Sequence, residues 1–107
     1  MNITFEDFKK LEIRIGKILT AEKVEKADRL LKLEVDFGEF KRQIVSGIAE
    51  FYKPEDLIGK ECPFIVNLEP RTFMGVESQG MLMAAGIDQG IALLHPDKEV
   101  PPGSNIK

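Results

Sequence analysis

The sequence is poor in the residues that build metal and nucleophilic sites. Among 107 residues it holds one cysteine, Cys62, one histidine, His95, and no tryptophan. A lone cysteine excludes an internal disulfide and suits a reducing, cytoplasmic setting. A zinc site of the usual His and Cys type needs more ligands than this inventory supplies. We therefore expect no metal, and no cofactor either, because no glycine-rich phosphate loop is present.

The chain also lacks a long apolar run and an excess of positive charge. No stretch reaches the ~20 apolar residues of a bilayer-spanning helix. The first residues include Glu6 and Asp7, where an export signal needs basic residues. We expect a soluble, cytoplasmic protein without a membrane partner. The formal net charge of -3 argues against a strongly basic nucleic-acid binder but leaves room for a local basic patch.

No residue pattern indicates catalysis. The segment Val76–Gly80 resembles a nucleophile elbow around Ser78, but valine stands where the first glycine belongs and the strand-to-helix context is absent. His95 precedes a proline and is expected in a surface turn. Cys62 opens an apolar segment, so we expect a small buried hydrophobe there. We predict no catalytic residue.

Apolar periodicity predicts a chain built mainly of strands. Thr4 is placed to cap a short helix over residues 5–10. The strictly alternating Leu11–Ile15 predicts a strand, and the change of apolar phase at Gly16 predicts a β-bulge there. The cleanest alternation, Leu31–Phe37, predicts the second strand.

A tight turn at residues 38–39 predicts a return into the third strand, Phe40–Ser46. Pro54 and Gly59 then bracket a short helical segment. This order predicts an all-β protein: a five-stranded OB-fold barrel with short helices at the N-terminus and between strands three and four, forming one domain over residues 1–107. A β-sandwich is the alternative, but it does not need the mid-chain helix. The later strands are expected at Phe64–Val66, 79–85 and 91–94.

The third strand carries a candidate binding face. By strand parity, Arg42 and Ser46 share one side and Val45 takes the other. Phe40 and Ile44 also fall on the side of Arg42, so the choice of core face is open from parity alone. We take Val45 as inward and Arg42 as outward. In an OB-fold, the face of strands two and three with its flanking loops is the usual oligonucleotide surface.

A second polar group follows the predicted fourth strand. Asn67 ends that strand, Arg71 follows a proline, and Ser78 and Met81 lie in the next stretch. Arginines suit phosphates, Asn67 and Ser78 suit bases or 2′-hydroxyls, and Phe73 or the methionines suit packing on a base. The alternative is a solvated charged face with salt-bridged arginines, and with Phe73 and the methionines in the core.

These stretches resemble a known family. The sequence is similar to the tRNA-binding domain found as a C-terminal extension or separate beta subunit of methionyl-tRNA synthetases, with stand-alone dimeric tRNA-binding proteins and CsaA-type chaperones as relatives. The resemblance implies an OB barrel, tRNA as ligand and a homodimer. It places Arg42, Asn67, Arg71, Ser78 and Met81 on the tRNA-binding face, to which parity adds Ser46. The matching stretches are Phe8–Gly16, Ala27–Leu31, Arg42–Ile48, Asn67–Arg71, Gly75–Met81 and Pro101–Ser104.

The resemblance implies a non-catalytic module that binds tRNA by shape and charge, with little sequence specificity. As a partner of the catalytic part of methionyl-tRNA synthetase, it would raise that enzyme's affinity for tRNA. The dimer interface is expected at Phe5 and Phe8 of the first helix and at Val100 and Ile106 near the C-terminus. Two alternatives stay open: a CsaA-type chaperone or export factor that binds unfolded polypeptide, and a purely structural dimerisation domain.

Overall fold

The structure is a computed structural model that describes all 107 residues. Strands dominate, as expected, and the two helices are short. The elements in chain order are α1 (Phe5–Lys9), β1 (Ile13–Val24), β2 (Ala27–Asp36), β3 (Lys41–Ser46), α2 (Pro54–Leu57), β4 (Glu61–Ile65), β5 (Arg71–Phe73), β6 (Val76–Ser78), β7 (Met81–Leu82), β8 (Ala84–Ile87) and β9 (Gly90–Leu93).

Both predicted helices form where their end signals stand. The Thr4 hydroxyl accepts a hydrogen bond from the Asp7 N–H at 3.1 Å, which satisfies one free donor of the first turn of α1. Pro54 begins α2 because the first helical position needs no N–H donor. Gly59 follows α2 with a φ of 87°, a left-handed conformation that favours glycine. Neither helix is long and apolar enough to cross a membrane.

The central sheet has the strand order β3-β2-β1-β4-β7, and every pairing is antiparallel. The long strand β1 pairs with β4 through its first half and with β2 through its second half. The C-terminal segment covers the remaining edge of the first half: the Ile106 N–H donates to the Ile13 carbonyl at 2.9 Å, and the Gly103 N–H donates to the Ile15 carbonyl at 2.7 Å. This arrangement wraps the sheet around its core.

The sheet does not close into a continuous ladder. Between β3 and the chain after β6, one backbone hydrogen bond joins the Gln79 N–H to the Gln43 carbonyl at 2.8 Å. The result is an OB-like barrel with one open side, which confirms the predicted all-β class and the positions of its two helices. Inside it, Phe37 and Phe64 pack edge to face with their ring centroids 5.5 Å apart.

The predicted bulge at Gly16 is wrong in position. Pairing with β4 runs unbroken through Gly16 and its partner Cys62, and the register of β1 with β2 shifts instead between Ile18 and Thr20. Gly16 is required by packing: an added Cβ would clash with Val35 and lie 2.6 Å from Cε1 of Phe37. The change of apolar phase reflected a strand with both faces covered, because Ile15, Gly16 and Ile18 are all buried.

The sequence did not predict the β5–β6 hairpin. No strand was predicted between Asn67 and the strand expected at 79–85, but Arg71–Phe73 pairs with Val76–Ser78. Met74 and Gly75, the two turn residues, have φ values of 50° and 82°, as a type I′ hairpin turn requires. Strands of three residues are too short to show a period of two, which is why the alternation was missed.

Candidate nucleic-acid interface

A groove of about 220 Å³ lies between the end of β3 and the β5–β6 hairpin; we call it the hairpin groove. Four of the six predicted binding residues line it: Ser46, Arg71, Ser78 and Met81. The hairpin occupies the connection between β4 and β7, the fourth and fifth strands of the central sheet, and the groove lies between this connection and the end of β3. In OB-folds the loop between strands four and five flanks the usual oligonucleotide surface. Apolar side chains of Leu68, Phe73 and Leu82 complete much of its wall.

Arg71 presents a free positive charge at this groove. Its side chain is exposed, and its guanidinium carbon lies 4.9 Å from the centroid of the Phe73 ring. The two residues are two positions apart on β5, so they share one face of the hairpin. Arg71 takes part in none of the four ion pairs in the chain. The alternative of a salt-bridged Arg71 is therefore wrong.

Ser78 is part of the groove wall but is not offered to a ligand. The residue is only 3% exposed. Its hydroxyl accepts a hydrogen bond from the Val45 N–H at 2.9 Å and donates one to the Gly80 carbonyl at 3.0 Å. The first bond holds the hairpin against β3, and the second is local to the turn after β6. This burial and the two internal hydrogen bonds leave little of Ser78 for the base or 2′-hydroxyl contact expected from the sequence.

The assignment of Arg42 to the outward face of β3 is wrong. Arg42 stands directly opposite Val35, and Ile44 stands opposite Leu33, in the β2–β3 ladder. Because directly opposed residues point to the same face, Arg42 shares the side of these fully buried residues. Val45 lies on the other face and is buried by the hairpin, so both faces of the strand are covered. Parity alone cannot separate two covered faces.

The guanidinium of Arg42 makes its contacts inside the chain. Its carbon atom lies 4.7 Å from the centroid of the Phe40 ring. One terminal nitrogen donates to the carbonyls of Val66 at 3.1 Å and of Gln79 at 3.2 Å. Arg42 therefore joins the end of β4 to the chain after β6, and it does not line the hairpin groove.

Asn67 likewise does not line the hairpin groove, and its side-chain amide is engaged within the chain. Its Oδ1 accepts a hydrogen bond from the Glu12 N–H at 2.8 Å, and its Nδ2 donates to the Lys10 carbonyl at 2.7 Å. Asn67 thus ties the segment between α1 and β1 to the end of β4. The sequence correctly predicted this residue at the end of a buried strand. It did not predict the hydrogen-bond partners, Glu12 and Lys10, which lie more than fifty residues earlier.

The methionines divide between surface and partial burial. Met74 is 64% exposed at the hairpin turn and Met81 is 46% exposed at the groove, while Met83 is half-buried. Leu68 is also exposed at the groove. The alternative that places Met74 and Met81 in the core is therefore wrong. Together with half-buried Phe73, Met81 and Leu68 give the groove an apolar wall beside the charge of Arg71.

Two of the four residues expected at a dimer interface are well exposed. Phe5 is 70% exposed and Ile106 is 41% exposed. Phe8 is half-buried and stacks on Phe5 at a centroid distance of 6.3 Å. Val100 is half-buried, and its N–H donates to the carboxylate of Glu61 at 2.9 Å.

Cys62 and His95 lie close together without forming a nucleophilic pair. Burial raises the pKa of the Cys62 thiol from 9.0 to about 11; Lys60 opposes the rise and Glu61 adds to it. The His95 Nδ1 lies 2.7 Å from the Glu61 carbonyl, which requires a proton on that nitrogen, and 3.7 Å from the Cys62 sulfur. The same nitrogen therefore cannot accept the thiol proton. Cys62 is a small buried residue, as expected.

Comparison with known proteins gives relatives of two kinds. The chain is 56% identical over 104 residues to the methionine–tRNA ligase of Archaeoglobus fulgidus and 52% identical over 107 residues to that of Parabacteroides distasonis. These matches cover 97% and 99% of this chain but only 16% of each ligase, so the chain spans a small part of its curated relatives. The homologous part of the ligases is a binding domain and not their catalytic part.

Two solved structures match nearly end to end. A methionyl-tRNA-synthetase-related protein from Pyrococcus horikoshii is 42% identical with a TM-score of 0.94, covering 100% of this chain and 99% of that one. The chaperone CsaA from Bacillus anthracis is 34% identical with a TM-score of 0.92, covering 100% of both chains. The family model described as a putative tRNA binding domain matches residues 13–105. The chain therefore belongs to the putative tRNA-binding domain family.

Proposed function

We propose that this chain binds tRNA in the hairpin groove, by shape and charge and with little sequence specificity. The observation that carries the proposal is the unpaired guanidinium of Arg71 beside the ring of Phe73, 4.9 Å away, at the rim of an apolar groove. A free cation suits a phosphate, and an aromatic or apolar surface next to it suits an unstacked base.

Within this proposal the residues take different parts. Arg71 contacts phosphate, while Met81 and Phe73 pack against a base. Ser46 is half-buried at the end of β3 and lines the groove. Arg42, Asn67 and Ser78 support the groove through the internal hydrogen bonds described above.

The charge of the groove predicts modest and salt-sensitive binding. Glu69 also lines the groove, and the whole chain carries a net charge of -3. Each phosphate neutralised by a cation releases counterions, so affinity falls as salt rises, with a slope set by the number of such contacts. A groove with one free arginine predicts a shallow slope compared with strongly basic RNA-binding proteins.

A modest affinity for tRNA is sufficient for a module that acts together with methionyl-tRNA synthetase. The homology to part of methionine–tRNA ligases supports a module that raises the local concentration of tRNA near the catalytic part. A homodimer would present two grooves to the same ligand or to two ligands. Exposed Phe5 and Ile106 support a dimer surface formed by α1 and the C-terminal segment.

A second candidate function is chaperone-like binding of unfolded polypeptide. The likeness to CsaA chaperones over the full chain supports it, as do the exposed side chains of Leu68, Met74 and Met81 around the groove. Binding of apolar segments depends weakly on salt, in contrast to binding of a phosphate backbone. Salt dependence therefore separates the two candidates.

The test is a tRNA gel shift at low and moderate salt with the wild type, Arg71→Ala and Lys17→Ala. Lys17 is an exposed lysine that makes no ion pair and lines a different depression, so it controls for the loss of one positive charge. We expect Arg71→Ala to weaken binding about tenfold, the size of one charge-assisted contact, and Lys17→Ala to bind like the wild type. Equal effects of the two substitutions would contradict a site at the groove.

A further inference from the structure

We propose that Arg42 and Gln79 are positioning residues, which set the place of Arg71 by joining the β5–β6 hairpin to β3 without themselves contacting RNA. The proposal rests on the proposed function of the hairpin groove. We call the contact between β3 and residues 77–79 the seam. The seam matters because the hairpin belongs to a separate two-stranded sheet, so no continuous ladder fixes it against the barrel.

Side-chain oxygens replace the missing ladder at the seam. The Gln43 N–H donates to Oε1 of Gln79 at 3.0 Å, and the Val45 N–H donates to the hydroxyl of Ser78 at 2.9 Å. These are alternate residues of β3, whose N–H groups would otherwise face an open sheet edge. In return, Nε2 of Gln43 donates to the Glu77 carbonyl at 2.8 Å. The place of the hairpin therefore depends on particular side chains.

Arg42 closes the same seam from the core side. One of its terminal nitrogens reaches the carbonyls of Val66 and Gln79, at 3.1 Å and 3.2 Å, while its guanidinium stacks over Phe40. Stacking and a fixed fork of donors are properties of arginine that lysine does not share. The two ends of the β4–β7 connection are thus pinned close together, and the hairpin that carries Arg71 projects from between them.

The route from the seam to Arg71 is short. Gln79 directly follows Ser78, which stands opposite Arg71 in the hairpin ladder. Moving the seam therefore moves the backbone that carries Arg71. Arg42 and Arg71 differ in their hydrogen bonds: the guanidinium of Arg42 donates to carbonyls of its own chain, and that of Arg71 donates to no group of the chain.

The salt dependence of affinity distinguishes the two roles. Removing a cation that contacts phosphate lowers the slope of log affinity against log salt by about one. Removing a positioning residue weakens binding at an unchanged slope. Gln79→Ala is the cleaner variant because it changes no charge and keeps the backbone hydrogen bond from Gln79 to Gln43. Gln89→Ala, in the exposed turn between β8 and β9, is its matched control.

The experiment measures tRNA affinity across salt concentrations for Gln79→Ala, Arg42→Ala, Arg71→Ala, Gln89→Ala and the double variant of Gln79 and Arg71. Amide hydrogen exchange reports the Gln43 N–H in the same proteins. We expect Gln79→Ala to weaken binding about three- to tenfold, as loss of one hydrogen bond suggests, with an unchanged slope. We expect faster exchange at Gln43, and little further loss when Arg71 is already alanine.

Three results would overturn the proposal. The first is losses from Gln79→Ala and Arg71→Ala that simply add. The second is a slope that falls by about one in Arg42→Ala, as for a direct phosphate contact. The third is wild-type affinity in a folded Gln79→Ala whose Gln43 amide exchanges faster. A wild type that fails to bind tRNA at low salt overturns the proposed function as well, whereas additive losses in a protein that binds overturn the positioning role alone.

Discussion

Arg71 and Ser78 stand directly opposite each other across the β5–β6 hairpin, and one is exposed while the other is only 3% exposed. Ser78 binds the hairpin to β3 through the Val45 N–H, and Arg71 forms no ion pair within the chain. Of this pair, Ser78 helps to build the groove, whereas Arg71 is the residue left available for the proposed ligand.

The close packing around Gly16 predicts a large cost for adding a methyl group there. Gly16→Ala places a Cβ 2.6 Å from Cε1 of Phe37 and into Val35, both fully buried. We expect a loss of about 1–3 kcal/mol in the free energy of unfolding, the usual cost of overpacking. Gly86→Ala is the control, because a Cβ there meets nothing within 4 Å. Equal denaturation midpoints for the two variants would contradict the packing role.

The tether formed by Asn67 predicts a local effect at the start of the barrel. Asn67→Ala removes hydrogen bonds to the Glu12 N–H and the Lys10 carbonyl. We expect a loss of about 1–2 kcal/mol in stability and faster amide exchange at Glu12. Asn105→Ala, at an exposed asparagine whose side chain makes no hydrogen bond within the chain, should change neither. Unchanged exchange at Glu12 in Asn67→Ala would show that the tether contributes nothing.

The buried thiol of Cys62 predicts a loss of stability at alkaline pH. Burial raises its pKa from 9.0 to about 11 in the folded protein. A group whose folded pKa is raised contributes its full stabilisation below its unfolded pKa, and that contribution is lost as pH rises from about 9 through about 11. The loss is on the order of 2 kcal/mol. Because lysines also titrate in this range, the measurement is the difference in unfolding free energy between wild type and Cys62→Ala at pH 8 and pH 11; a difference that does not change with pH would contradict the prediction.

The exposed phenylalanine of α1 gives the test of the proposed dimer. Phe5→Asp replaces an apolar side chain that is 70% exposed and whose ring neighbours are Phe8 and Lys9 of the same helix. We expect wild type to sediment as a dimer at micromolar concentration and Phe5→Asp to sediment as a monomer of unchanged fold. Ile58→Asp, at a residue 56% exposed beyond α2, should remain a dimer. A wild type that sediments as a monomer would contradict the proposed dimer.

The sequence was sufficient for the parts of the fold that have a clear local signal. The Thr4 cap and the Pro54 helix start appear where they were predicted, and the alternation of Leu31–Phe37 falls in β2, which begins earlier, at Ala27, and ends at Asp36. It was insufficient where both faces of a strand are covered, as at Arg42 on β3 and Gly16 on β1. In these places burial follows from contacts with distant parts of the chain, which periodicity does not contain.

The candidate site shows the same division. Four of the residues predicted from the sequence line one groove in the structure: Ser46, Arg71, Ser78 and Met81. The sequence did not show that Arg42, Asn67 and Ser78 form hydrogen bonds within the protein. Their partners are backbone carbonyls and N–H groups remote in sequence. Gln43 within β3 and Gln79 after β6 are ordinary surface amides by sequence, and such residues are too common to indicate a seam.

We propose that the hairpin groove holds tRNA through charge and shape. The most direct measurement is the affinity of the wild type for unmodified tRNA over a range of salt concentrations, with a linear RNA duplex and an unfolded polypeptide as competitors. If tRNA binds there, affinity should fall steadily as salt rises, and the linear duplex should displace the labelled tRNA less well than unlabelled tRNA does. Binding that ignores salt and is displaced by the polypeptide would contradict it and favour the chaperone-like function.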